Sequence, residues 1–156
     1  MALLGNHDIL GNGVYVYKAI YGKLNCSFIA GPTKFVRLNT NALEFDYSEP
    51  VPDFEFILNE AQKQDGYENT VIAMHSGPYN EQFNNNSVMI FQRVINTFKN
   101  LQFCMHAHDH RPGVYQYFKE SFGDYLYFYA CTCMKKRGYH VFTVTTNGYE
   151  YEEVEF

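Results

Sequence analysis

At 156 residues the chain has the size of one domain, large enough to bury roughly 70% of the surface its unfolded form exposes. Apolar residues make up 46% and aromatic ones 18%, including 14 Tyr and 14 Phe, which excludes a disordered chain. Lys and Arg number 12 against 17 Asp and Glu, a net charge of -5, without the basic surplus that duplex nucleic acid requires.

Residues 2–4 read as the end of a buried strand, broken by Gly5-Asn6. Residues 14–21 predict helical turns closed by Gly22, and two apolar runs, 25–30 and 34–38, predict strands around Gly31-Pro32-Thr33. Residues 52–64 predict a helix that opens at Pro52, carries Phe56, Ile57, Glu60, Ala61 and Gln64 at helical spacing, and stops before Gly66. Residues 69–74 are a β-branched strand that stops at His75, and 76–86 form a polar loop. A Ser87-capped amphipathic helix is expected over 87–100, with Ile90, Phe91, Val94, Ile95 and Phe98 on its apolar face. Residues 101–105 are a short strand ending in histidine. The stretches 114–118, 125–130, 140–146 and 149–156 predict antiparallel strands, the last two joined by a type I′ turn at Asn147-Gly148. This order predicts an α/β (α+β) single domain over 1–156, with layered sheets.

Cys26, Cys104, Cys131 and Cys133 are too few and irregular for a disulfide scaffold, so mostly buried thiols are expected. Cys131 and Cys133, two apart in an extended run, are expected on one face of a sheet. No apolar run approaches the ~20 residues of a membrane helix, and MALLGNHDILG does not read as a signal peptide.

Three stretches place polar side chains just beyond apolar strand ends: Asn6-His7-Asp8, His75, and His106-Ala107-His108. Strand ends are where α/β folds build their sites. Side chains at i and i+2 of an extended segment point the same way, so His106 and His108 are expected to share one pocket. A His-x-His pair suits Zn, Mn or Fe together with oxygen donors, and an Asn carbonyl oxygen can complete the set. His110 and His140 lack such a context and are expected to face solvent or support other groups.

Gly5-Asn6-His7-Asp8 after an apolar strand, a strand ending in His75, and a strand ending in His106-Ala107-His108 resemble the calcineurin-like metallophosphoesterase family. The family signature has five blocks, D-x-H, G-D-x-x-D, G-N-H-D/E, a lone strand-end His and G-H-x-H. The last three are matched in order. Met105 stands in place of the usual Gly, and the first two blocks are absent, because the chain begins a few residues before Gly5. By this resemblance the chain is expected to be the C-terminal part of such a domain: an incomplete two-sheet β-sandwich flanked by helices. Its exposed sheet edges are expected to favour a homo-oligomer.

The resemblance implies that Asn6, His75 and His106 ligate one metal and His108 the other. It implies that His7 is the catalytic histidine at the phosphate and that Asp8 orients His7 through a hydrogen bond. Divalent ions (Mn, Zn, Fe or similar) are implied as cofactors, two in the intact family site and one or none here, with a phosphate ester as substrate. The expected activity is hydrolysis of phosphomono- or diesters, impaired or absent in a chain without half of the ligands. The alternative is a non-catalytic remnant, a binding or structural domain that keeps a partial metal site. Tyr79 and Phe83 follow His75 and are expected to border the substrate pocket, stacking on a nucleobase or aryl group or else pinning the loop to the sheet. Other His-x-His families fit less well. The metallo-β-lactamase pattern H-x-H-x-D-H would need Asp109 and His110 one position later, and an amidohydrolase barrel needs ~250 residues.

Overall fold

Short, largely apolar runs become the parallel strands at the centre of a sheet, the pattern expected where both faces are covered. The computed structural model describes residues 2–45, 48–117, 126–131 and 136–156. The strands are β1 (Cys26–Ala30), β2 (Thr33–Leu38), β3 (Asn69–Met74), β4 (Leu101–His106), β5 (Gly113–Tyr117), β6 (Leu126–Ala130), β7 (Gly138–Thr145) and β8 (Gly148–Glu155). The helices are α1 (Gly13–Tyr21), α2 (Phe54–Gln62) and α3 (Val88–Ile95).

Six strands form one sheet in the order β1-β2-β3-β4-β6-β5, and β7 and β8 form a separate antiparallel hairpin. Strands β2, β3, β4 and β6 run parallel, with antiparallel edges at β1 and β5. Helices α2 and α3 supply the crossovers that parallel neighbours require. They cover one face of the sheet through Ile57, Phe91 and Ile95, packed on Val36, Ile72, Cys104 and Phe128. The hairpin covers the other face, where Phe103 stacks on Phe142 at 4.5 Å and meets Tyr149 at 4.4 Å. The result is a mixed α/β fold with its strands in two sheets, and no described helix is long and apolar enough to cross a membrane. The carboxyl ends of β2, β3, β4 and β6 share one rim of the large sheet, and the polar strand-end residues lie along it.

Several details depart from the sequence reading. Residues 2–4 form no strand, because side chains rather than a ladder take their carbonyls: Tyr17 and Arg37 donate to Ala2, and Asn41 to Leu4. Helix α2 opens at Asp53, whose carboxylate accepts the Phe56 N–H at 3.0 Å, and not at Pro52. Helix α3 ends at Ile95. The Ser87 hydroxyl donates to Asn84 O instead of capping the helix, and Ile90 is exposed while Gln92 takes a buried place. Strand β6 pairs with β5 as expected but also enters the large sheet beside β4. The β7–β8 hairpin turns over Thr146-Asn147, with Thr145 opposite Gly148; only Gly148 has positive φ, so the turn is not type I′. Cys104 is buried, Cys26 and Cys131 are half-buried, and Cys133 lies outside the described residues.

Candidate metal centre

The run of buried residues in β3 delivers His75 to the rim, one residue past Met74. The Asn6 amide reaches it from a 3-10 turn, Asn6–Ile9, whose lead-in is fixed by Asn41 donating to Leu4 O at 3.0 Å. Thr40 reinforces the rim, since its hydroxyl donates to Ser76 O and accepts from Ser76 N. At the end of β4 the Ala107 N–H donates to His75 O at 2.9 Å, which ties the two strand ends together.

Three heteroatoms converge there. His75 Nε2 lies 3.0 Å from Asn6 Oδ1 and 3.2 Å from His108 Nδ1. Burial, with the neighbouring His108 adding to it, lowers the His75 pKa to about 4, so its ring is neutral at neutral pH. Beyond His108, Glu81 Oε1 lies 3.7 Å from Nε2 of that ring.

His106 and His108 do not share a pocket. The extended geometry ends at Ala107, where the Asp109 N–H donates to Ala107 O and His108 takes a left-handed φ of 68°. That turn swings His108 onto His75. His106 stays in β4, 4% exposed, and lines a neighbouring cavity with Tyr79, Glu81, Asp109, Tyr115 and Tyr117. Its Nδ1 faces Ala107 O at 3.3 Å, a carbonyl that can only accept, so Nε2 carries the lone pair; that Nε2 is buried without a partner among the described residues. Burial lowers the His106 pKa as well. Among the described residues, no group of three His, Cys, Asp or Glu side chains is placed to hold a metal; the converging set consists of two histidines and an asparagine.

His7 and Asp8 are exposed on the 3-10 turn. The Asp8 carboxylate accepts the Gly5 N–H at 2.8 Å and so closes the turn. Tyr79 is 61% exposed, with its ring edge-on to Tyr117 at 5.3 Å. Phe83 lies buried in the core, edge-to-face on Phe91 at 5.1 Å, and pins the loop. His140, expected to face solvent or support other groups, has a side chain only 1% exposed, with Nδ1 3.5 Å from Cys131 Sγ and Nε2 3.8 Å from Glu153. His110 is exposed. The sequence reading missed Glu81, Asp109, Tyr115 and Tyr117. The Tyr-x-Tyr repeat in β5, which puts both rings on one face, was the available signal.

The donor set fits a divalent ion. Asn6 Oδ1 and His108 Nδ1 both lie within about 3.2 Å of His75 Nε2, which can give a hydrogen to one of them at a time, whereas a cation can accept lone pairs from all three atoms. Ligands about 2.1 Å from a first-row ion sit roughly 3.0–3.4 Å apart, which matches the separations seen. Compared with known proteins, the chain matches no family model and no curated relative.

Proposed function

We propose that this chain carries one metal position of a divalent-metal phosphoesterase centre at the carboxyl ends of β3 and β4. The observation that carries the reading is the convergence of Asn6 Oδ1, His75 Nε2 and His108 Nδ1 from three distant segments. The order of the Gly5-Asn6-His7-Asp8, His75 and His106-Ala107-His108 blocks supports the same conclusion. In this reading the six-stranded sheet and the β7–β8 hairpin correspond to the two sheets of a calcineurin-like sandwich.

A divalent ion held there supplies Lewis acidity toward the phosphoryl oxygens of an ester. His75 presents a neutral imidazole lone pair, His108 Nδ1 faces it, and Asn6 adds a carbonyl oxygen. Glu81 faces the far nitrogen of His108, which favours the tautomer with Nδ1 free. His7, next to Asn6 and exposed, is available to donate a proton to the departing oxygen. Asp8 holds the turn that carries both residues.

Calorimetric titration of Mn²⁺ into the chelator-stripped chain is expected to show one ion per chain, and His75→Ala is expected to abolish the heat. Absence of saturable binding, or binding unchanged in His75→Ala, would overturn the reading. If the bound ion serves catalysis, His7→Ala lowers hydrolysis of an aryl phosphodiester by roughly 10²-fold or more while leaving Mn²⁺ binding intact. A second reading, a metal-binding module without turnover, is favoured by the position of His106, whose ring faces the adjacent cavity. Ion binding with no hydrolysis would select it.

A further inference from the structure

We infer that the cavity beside the three donors takes the nucleoside part of a phosphate ester, with preference for a base that carries an exocyclic amino group. This rests on the reading of the donors as a phosphoester centre. The cavity measures about 460 Å³ and adjoins that centre through Glu81, which lines it and faces His108. One ester can therefore present phosphate to the donors and its organic part to the cavity.

The lining dictates the chemistry. Tyr115 and Tyr117 lie parallel within 9° at 5.7 Å, and Tyr79 stands edge-on to Tyr117. Tyr79 is held in this position by a left-handed backbone, φ 68°, with its N–H donated to Asn85 Oδ1 at 2.9 Å. A strained residue that keeps an aromatic ring exposed over a cavity gives a base a face on which to stack. Among the described residues, the charged side chains that line the cavity are carboxylates, Glu81 and Asp109.

The charged groups are both acceptors, and the hydroxyls of Tyr79, Tyr115 and Tyr117 can accept as well as donate. Glu81 and Asp109 contribute carboxylates, and the amide of Asn80 is already engaged at both ends, by Asp109 and by the Gln82 N–H. His106 also lines the cavity, and its buried Nε2 has no hydrogen-bond partner among the described residues. Such a set favours a ligand rich in N–H donors, and an exocyclic amine on a stacked ring supplies them.

The test uses the metal-stripped full chain, so that its result does not depend on ion binding. Adenosine, cytidine, inosine, uridine and choline are titrated one by one, with calorimetry and saturation-transfer NMR as readouts. Adenosine and cytidine are expected to bind at least about fivefold tighter than inosine and uridine, and Tyr79→Ala and Asp109→Asn each to weaken adenosine about fivefold or more. Equal binding of amino and oxo bases, indifference to both substitutions, tighter binding of choline, or no nucleoside binding would each overturn the inference. If nucleosides bind as expected and Mn²⁺ does not, the phosphoester reading fails while the cavity stands as a nucleoside site.

Discussion

Asn6 and His75 are 69 residues apart in sequence, yet the Asn6 amide oxygen lies 3.0 Å from His75 Nε2. The contact joins the turn before α1 to the end of β3, and His108 closes on the same nitrogen from the end of β4. Only one of the two facing nitrogens can carry a hydrogen, because two would set N–H against N–H.

His75 therefore predicts a pH dependence in metal-free protein. Burial, with His108 beside it, lowers its pKa to about 4, below the ordinary value near 6.5. The unfolded chain binds the extra proton first as pH falls. The stability from this group is complete above about pH 6.5 and is lost progressively down to about pH 4. The urea midpoint is expected to drop between pH 7 and pH 5, the drop to shrink in His75→Gln, and the His75 ring proton to titrate near pH 4 by NMR.

Glu60 predicts a second, lower window. Burial pushes its carboxyl up, but Lys63, Ser27 and Lys34 outweigh that and hold it at about 2. A carboxyl lowered in the folded state stabilises fully above its unfolded value near 4.3 and loses that stabilisation as pH falls toward 2. The ammonium of Lys34, whose side chain is 3% exposed, lies 3.1 Å from Glu60 Oε2. Glu60→Gln leaves that charge with neutral neighbours, the backbone carbonyls of residues 60 and 63 and the rings of Tyr67 and Phe98. A loss on the order of 2–3 kcal/mol at pH 7 is expected by chemical denaturation, shrinking as pH approaches 2.

Gly77 separates the two halves of the site. A Cβ there would lie 2.9 Å from the His106 ring, which is buried and cannot give way freely. Gly77→Ala is expected to lower stability by about 1–3 kcal/mol and to weaken adenosine binding, because the floor of the cavity shifts. Mn²⁺ binding by Asn6, His75 and His108 is expected to persist. Loss of ion binding with adenosine binding retained would show that the His106 ring supports the donors instead of the cavity.

The strands that position the site were legible because their residues leave little choice. Residues 69–74 are an uninterrupted β-forming run, and β3 occupies the same six positions. The divergence of His106 and His108 was not legible, since it follows from a turn at His108 with φ 68° that no neighbouring Gly or Pro announces. The placement of β6 between β4 and β5 is likewise a tertiary choice: both β5 and β6 read as hairpin strands, and nothing local says which joins β4. Which of its two expected settings His140 takes was not legible for a related reason. Alternation along β7 puts one face on the large sheet, but the sequence does not say that this hairpin has a sheet to cover.

That covering is the last testable relationship. A two-stranded hairpin alone is marginal in water, so β7 and β8 depend on what they pack against. Phe103, fully buried in β4, stacks on Phe142 at 4.5 Å and touches Tyr149 and Tyr129, while Asn69 Nδ2 donates to Thr145 O at 2.6 Å at the hairpin end. Phe103→Ala removes the ring on which three others converge and is expected to lower stability by about 3–5 kcal/mol. Hydrogen exchange is expected to accelerate first in β7 and β8, with β3 amides still protected, because β3 keeps its ladders to β2 and β4 and its helix-side packing. Uniform acceleration across both sheets would mean instead that the hairpin and the large sheet unfold as one unit, with the aromatic layer as part of a single core.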